Sequence, residues 1–109
     1  MIEPILGSAS SERVLMFLFA RDQGYAREIA RFFNSDLAPI QKQLEKLENG
    51  GVLVSKLAGR TRVFSFNPRY PMLDEVRKLL EKTLQFYPDD THEALTMERR
   101  RPRRRGKPL

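Results

Sequence analysis

The chain has no cysteine. That excludes a disulfide framework, a thiolate metal site and a cysteine nucleophile, and it fits a reducing compartment. Histidine is almost as scarce. The single one, His92, stands in a polar stretch near Asp89, Asp90 and Glu93, where an ordinary surface residue is the expectation. No apolar run approaches the roughly 18 residues of a membrane span. Met1-Ile-Glu-Pro-Ile-Leu-Gly7 has no basic leader and no long apolar core, so it does not read as a signal peptide. Paired carboxylates, an activated nucleophile, a phosphate-cradling loop and a metal-ligand cluster are also missing from the pattern. The expectation is a cytoplasmic protein that is not an enzyme and needs no cofactor or metal.

What is present is charge, unevenly spread. The 109 residues carry a formal net charge of +6 and are 40% hydrophobic, enough for one domain with a modest core. All the excess charge lies between Glu98 and Leu109, which hold seven Arg or Lys and one acid. The first 97 residues balance to zero, yet residues 25–66 stand at +3 and residues 67–97 at −2. A positive pole within a neutral body suggests an anionic partner for that stretch.

Hydrophobic spacing divides the chain into elements. Ser8 to Ser11 offer N-cap hydroxyls for a helix opening at Glu12 or Arg13. Val14, Leu15, Phe17, Leu18 and Phe19 make that helix apolar over most of its circumference and so central. Gly24 reads as its left-handed C-cap. Ala26 to Phe33 form a short helix with Ile29, Phe32 and Phe33 inward, and Asn34-Ser-Asp36 form a turn with Asp36 as the next N-cap. Leu37 to Asn49 form a second helix, with Pro39 tolerated in its first turn. Leu37, Ile40, Leu44 and Leu47 make its apolar stripe. Ala38, Gln41, Lys42, Gln43, Glu45 and Lys46 fall on the opposite face.

Gly50-Gly51 ends that helix. Val52–Leu57 and Thr61–Phe66 read as a hairpin with an Ala58-Gly-Arg60 tip, where Gly59 can take positive φ. Phe17, Phe19, Phe32, Phe33, Phe64 and Phe66 follow burial periods and belong to the core rather than to a stacking platform. After the Asn67-to-Pro71 break, Met72 to Tyr87 form a terminal helix ended by Pro88. Asp89 to Met97 read as polar and weakly structured. The Arg99–Leu109 run is low-complexity and expected to be disordered.

Helix, tight turn, longer helix and hairpin, in that order, make a winged helix-turn-helix. The fold class expected is mainly α with a small β-hairpin wing (α+β) and an added C-terminal helix. Residues 1–87 form the domain and residues 88–109 a polar, then Arg-rich, tail. Such a module usually lays its second helix in the DNA major groove. Ala38, Pro39, Gln41, Lys42 and Lys46 then face DNA, since Gln can pair with adenine and Lys with guanine or phosphate. Lys56, Arg60, Thr61 and Arg62 at the wing would meet flanking backbone or minor groove, with Tyr25 and Arg27 at the start of the first motif helix. Each of these positions also reads as part of an ordinary solvated face. Arg99, Arg100, Arg101, Arg103, Arg104 and Arg105 would add phosphate contacts with little sequence information.

These residues also carry a resemblance. Ala30-Arg31 followed by Asp36–Val54, with the step Leu44-x-x-Leu47-Glu48 and a Gly59-Arg-Thr-Arg-Val-Phe64 wing, resembles winged-helix regulators of the ArsR and MarR type. It is most similar to small modules beginning Ile-Leu-Gly-Ser (Ile5–Ser8), with a Tyr-x-Arg-Glu-Ile-Ala helix (Tyr25–Ala30) and an Asn-Pro-x-x-Pro step (Asn67–Pro71). In that group the module stands alone or ahead of a nucleotidyltransferase domain, and the stand-alone form is the expectation here. The chain departs from the pattern at Ser35-Asp36, where Leu-Ser is frequent, and in its arginine tail. With no Cys and one His, the metal sensing of arsenical-type repressors is not implied.

The resemblance and the element order imply a nucleoid-associated, sequence-specific binder of double-stranded DNA. It would act as a transcriptional regulator, with repression the simplest mode. Met72–Tyr87 has more apolar surface than a lone packing helix needs. Leu73, Val76, Leu80, Leu84 and Tyr87 are therefore expected at a homodimer interface, with packing back onto the first helix as the alternative. Two other readings stay open: a protein-interaction adaptor, and a binder of RNA or single strands led by the tail.

Overall fold

The computed structural model describes residues 1–96. The order is α1 (Glu3–Leu6), α2 (Ala9–Arg21), β1 (Gln23–Gly24), α3 (Ala26–Phe33), α4 (Leu37–Asn49), β2 (Leu53–Ala58), β3 (Thr61–Phe66) and α5 (Leu73–Gln85). A further helix, α6, covers residues 89–96. The strands form one antiparallel sheet in the order β1-β3-β2. This is the winged helix-turn-helix expected from the sequence: mostly helical, with a small sheet behind the two-helix motif.

The centre of the molecule is α2, as its apolar circumference dictates. Val14, Leu15, Met16, Phe17, Leu18 and Ala20 are all buried, and α3, α4, α5 and β1 pack around them. The helix starts earlier than expected. Ser8 is its N-cap, and its side chain accepts from the Ser11 N–H at 3.1 Å, so residues 9–12 already belong to the first turn. Gly24 is not the C-cap. Asp22 takes that place in the left-handed region, at φ 74°. Gly24 instead pairs with Phe64 in β1, and a Cβ there would lie 2.6 Å from Phe17 Cε1. The position requires glycine because strand and helix approach so closely.

Glu12, expected near the helix start, lies only 5% exposed. Its carboxylate accepts from the Met1 ammonium at 2.9 Å, from the Ile2 N–H at 2.8 Å and from the Tyr87 hydroxyl. Burial alone pushes the Glu12 carboxyl up, but these three donors together hold it below its ordinary value. Tyr87 is raised, first by burial and then by Glu12. The arrangement ties the N-terminal segment and the end of α5 to α2.

Two expectations at the C-terminal side are corrected. Residues 89–96 are helical rather than weakly structured, because Leu95 is fully buried in the core and anchors the turn. Arg21 secures it further. Its Nε donates to the Leu95 carbonyl at 3.3 Å and an Nη to that of Ala94 at 3.2 Å, while its guanidinium lies over the Phe17 and Phe32 rings. Leu80 is also fully buried within one copy of the chain, so it packs inward, against the core, rather than facing a second copy. Leu73, Val76, Leu84 and Tyr87 are half-buried against the same core. The residues from 97 onward, including Arg99, Arg100, Arg101, Arg103, Arg104 and Arg105, lie outside the described residues.

Candidate nucleic-acid interface

The motif is built from two helices with different tasks. In α3, Ile29 and Ala30 are buried against α2, and the Glu28 carboxylate accepts from the Tyr25 N–H at 3.3 Å to hold the first turn. Asn34 ends the helix in the left-handed region at φ 52°, and the Ser35 N–H donates to the Ala30 carbonyl at 2.9 Å. That reversal aims α4 across α3. Asp36 occupies the N-cap position of α4, but its side chain makes no capping bond.

The stripe on α4 is as the spacing predicts. Ile40 and Leu44 are buried, and Leu37 and Leu47 are half-buried. Ala38, Pro39, Gln41, Lys42, Glu45 and Lys46 are exposed. Gln43 is not on that face. It is half-buried, and its Oε1 accepts from the Ser11 hydroxyl at 2.7 Å, which fixes α4 to α2. One residue beyond Lys42 is already about 100° round the helix, far enough to reach the core side.

The wing follows directly. Gly51, at φ 83°, turns the chain from α4 into β2. The Asn67 side chain then closes the base of the hairpin, its Nδ2 donating to the Gly51 carbonyl at 2.9 Å. The tip is two residues long, Gly59-Arg60, since Ala58 pairs with Thr61. Gly59 has φ 66°. Positive φ at the first position matches the tight hairpin turns whose twist suits the strands.

Register decides where the wing cations point. Leu57 pairs with Arg62 and Ser55 with Phe64, so these share the face that includes the buried Phe64 and Phe66. Lys56 pairs with Val63, on the opposite face. The four wing residues singled out from the sequence are therefore divided, with Lys56 apart from Arg62.

Between α4 and this inner face lies an open groove of about 600 Å³. One wall is the start of α3, with Tyr25 and Arg27. The floor is α4, with Gln41, Leu44, Glu45 and Glu48. The other wall is the wing, with Arg60, Thr61, Arg62 and Phe64. Six of the sequence-selected residues thus converge on one concavity: Tyr25, Arg27, Gln41, Arg60, Thr61 and Arg62. Ala38, Pro39, Lys42 and Lys46 are exposed on α4 but do not line it.

A contact that the sequence pattern does not reveal joins wall to floor. The Ser55 hydroxyl donates to Glu48 Oε2 at 2.6 Å and accepts from an Arg62 Nη at 3.0 Å. Glu48 thereby holds the guanidinium of Arg62 through a hydroxyl. The signal was present only in combination. A helix end, a glycine reversal and a hairpin of known register are all needed before Glu48, Ser55 and Arg62 can be placed together.

The arrangement offers hydrogen-bonding side chains of both kinds on an exposed helix, flanked by cations on either side. No protein-family model matches the chain, and no curated protein matches it. Among solved structures, the apo form of a double mutant of Lactococcus lactis ZitR is 20% identical, with a TM-score of 0.55 over 97% of this chain and 95% of that one. A single mutant of the same ZitR is 21% identical, with a TM-score of 0.55 over 92% of this chain and 75% of that one. The chain shares its fold with ZitR.

Proposed function

We propose that this chain is a sequence-specific double-stranded DNA-binding transcriptional regulator, acting as a homodimer and repressing by occupying its site. The observation that supports this most is the groove. It places Gln41 on an exposed helix between Arg27 on one side and Arg60 and Arg62 on the other. A helix of this kind fits a major groove about 12 Å wide, and cations on both flanks suit the two phosphate backbones that border it. Gln41 and Lys42 would read base edges. Ala38 and Pro39 would let the helix N-terminus approach closely, and Lys46 and Lys56 would reach phosphates. The arginines of the tail would add affinity without sequence information.

Dimerisation would use the apolar margin of α5, where its core-facing side is left partly uncovered. Met72 and Phe86 are exposed there, and Leu73, Val76 and Leu84 are half-buried. Two copies would span two half-sites, in keeping with DNA-binding modules of this size.

The test is selection from a random duplex library with the full chain and with a chain ending at Met97. Enrichment of one sequence by both, erased by Gln41→Ala or Lys42→Ala, is the expected result. Loss of all binding with the tail, and no enriched sequence from either chain, would end this reading in favour of an RNA or protein partner.

A further inference from the structure

The floor of the groove holds two carboxylates, which a DNA-facing surface ought to avoid. Gln41, Glu45 and Glu48 stand at i, i+4 and i+7 on α4, in one row along the groove. The two acids differ in their partners. Glu48 is half-buried, and it accepts from Ser55, which is in turn held by Arg62. Glu45 is exposed, and its carboxylate has no hydrogen bond or ion pair among the described residues. Lys42 and Lys46 flank it in sequence without pairing with it. Glu48 thus builds the wing, and Glu45 is left facing whatever enters the groove.

A carboxylate only accepts hydrogen bonds. Against phosphate it repels, so Glu45 weakens indiscriminate binding. In the major groove, guanine N7 and O6 and thymine O4 are acceptors and repel it too. Only amino groups attract it, the N4 amine of cytosine and the N6 amine of adenine. The adenine amine lies beside the N7 lone pair, whereas cytosine has no acceptor on that edge. Cytosine is the base that rewards a carboxylate at this position.

Resting on the DNA-binding reading above, we propose that Glu45 is a specificity-determining residue that selects cytosine in the major groove. Gln41 and Glu45 stand about one turn apart, and a helix inclined in the major groove brings residues one turn apart onto neighbouring base pairs. The selected cytosine therefore lies beside the position set by Gln41. The same charge rejects non-cognate duplex.

The experiment uses the full chain at one fixed salt concentration. A random duplex selection is followed by titration of the best duplex and of versions changed at single base pairs. Wild type is compared with Glu45→Ala, Glu45→Gln and Glu81→Gln. The last removes an equal charge from the exposed side of α5, outside the groove. Glu45 is exposed, so its substitutions leave the core intact, which circular dichroism verifies. Wild type should prefer one C·G pair about 10-fold or more, in line with a good base contact. Glu45→Ala should flatten that position alone and tighten binding to random duplex several-fold. Glu45→Gln should move the preference towards A·T. Glu81→Gln should keep the wild-type profile. A cytosine preference that survives Glu45→Ala, or a loss shared by Glu81→Gln, overturns the role of Glu45 while the DNA-binding reading stands. A wild-type chain that enriches no sequence overturns both.

Discussion

Two carboxylates on neighbouring helices show how this chain handles charge. Glu12 on α2 is nearly sealed from solvent and has three donors around it: an ammonium, a backbone N–H and a phenol. Glu45 on α4 is open to solvent and has none among the described residues. A buried charge without partners is costly, so the surroundings of Glu12 had to be built to match it. An exposed one costs little, so Glu45 can be kept for a partner. Charge turned inward holds the fold, and charge turned outward is available for recognition. The contrast predicts that inward changes alter stability and not binding profile, and outward changes the reverse.

The largest effect should come from the core on the inward side. Leu95→Ala removes the one buried anchor of α6 and should cost about 3 kcal/mol. Thermal denaturation should show the midpoint falling by roughly 15 °C. A shift of only a degree or two would mean that α6 contributes little to the packed body.

Glu12→Gln comes next. It keeps the shape but takes the charge from three donors, and should cost about 2 kcal/mol by chemical denaturation. The pH profile carries the same signature. The folded carboxyl sits below its ordinary value of 4.5, so its contribution is fully present above that pH. It is lost as pH falls from there through the depressed folded value. Wild type should therefore lose stability over that range more steeply than Glu12→Gln, and parallel curves would contradict the assignment.

On the outward side, Arg62→Ala should leave stability within about 0.5 kcal/mol, as for most surface changes. It should weaken duplex binding uniformly across sequences and lower the salt slope by about one unit, as the loss of one phosphate contact does. Ser55→Ala should reproduce part of that loss with the guanidinium still present, because the hydroxyl only holds it in place.

Lys56→Ala should have the smallest effect, about two-fold in affinity, because Lys56 lies on the other face of the hairpin. If Lys56→Ala matched Arg62→Ala, the division of the wing into two faces would have no bearing on binding.

The repeated patterns of the fold were open to reading in advance. The stripe of Leu37, Ile40, Leu44 and Leu47 and the alternation through Phe64 and Phe66 each repeat several times, and repetition makes a period visible. What happens once leaves no period. A single Leu95 anchors α6 amid Asp89, Asp90, Thr91, His92 and Glu93, so nothing in that stretch announces a helix. Gly24 reads as a helix terminator because glycine commonly serves there, while the steric demand of Phe17 is visible only in three dimensions. Leu80 and Leu84 share one apolar face, and the sequence does not say how deep each lies. The groove was half legible. Its cations could be chosen by type, but the hydroxyl bridge from Glu48 to Arg62 joins residues brought together only by the hairpin.

The tip of the wing has a consequence for how such a chain can vary over generations. With Gly59 and Arg60 alone between paired strands, β3 is locked to β2 residue by residue. One added residue on the β3 side would turn every following side chain over. Arg62 would leave the groove, and Phe64 and Phe66 would swing from the core into water. A single added residue is therefore tolerated only where a longer turn or a bulge absorbs it at the tip, leaving the pairing below unshifted. The length of this wing is open to change at its tip and closed along its paired strands.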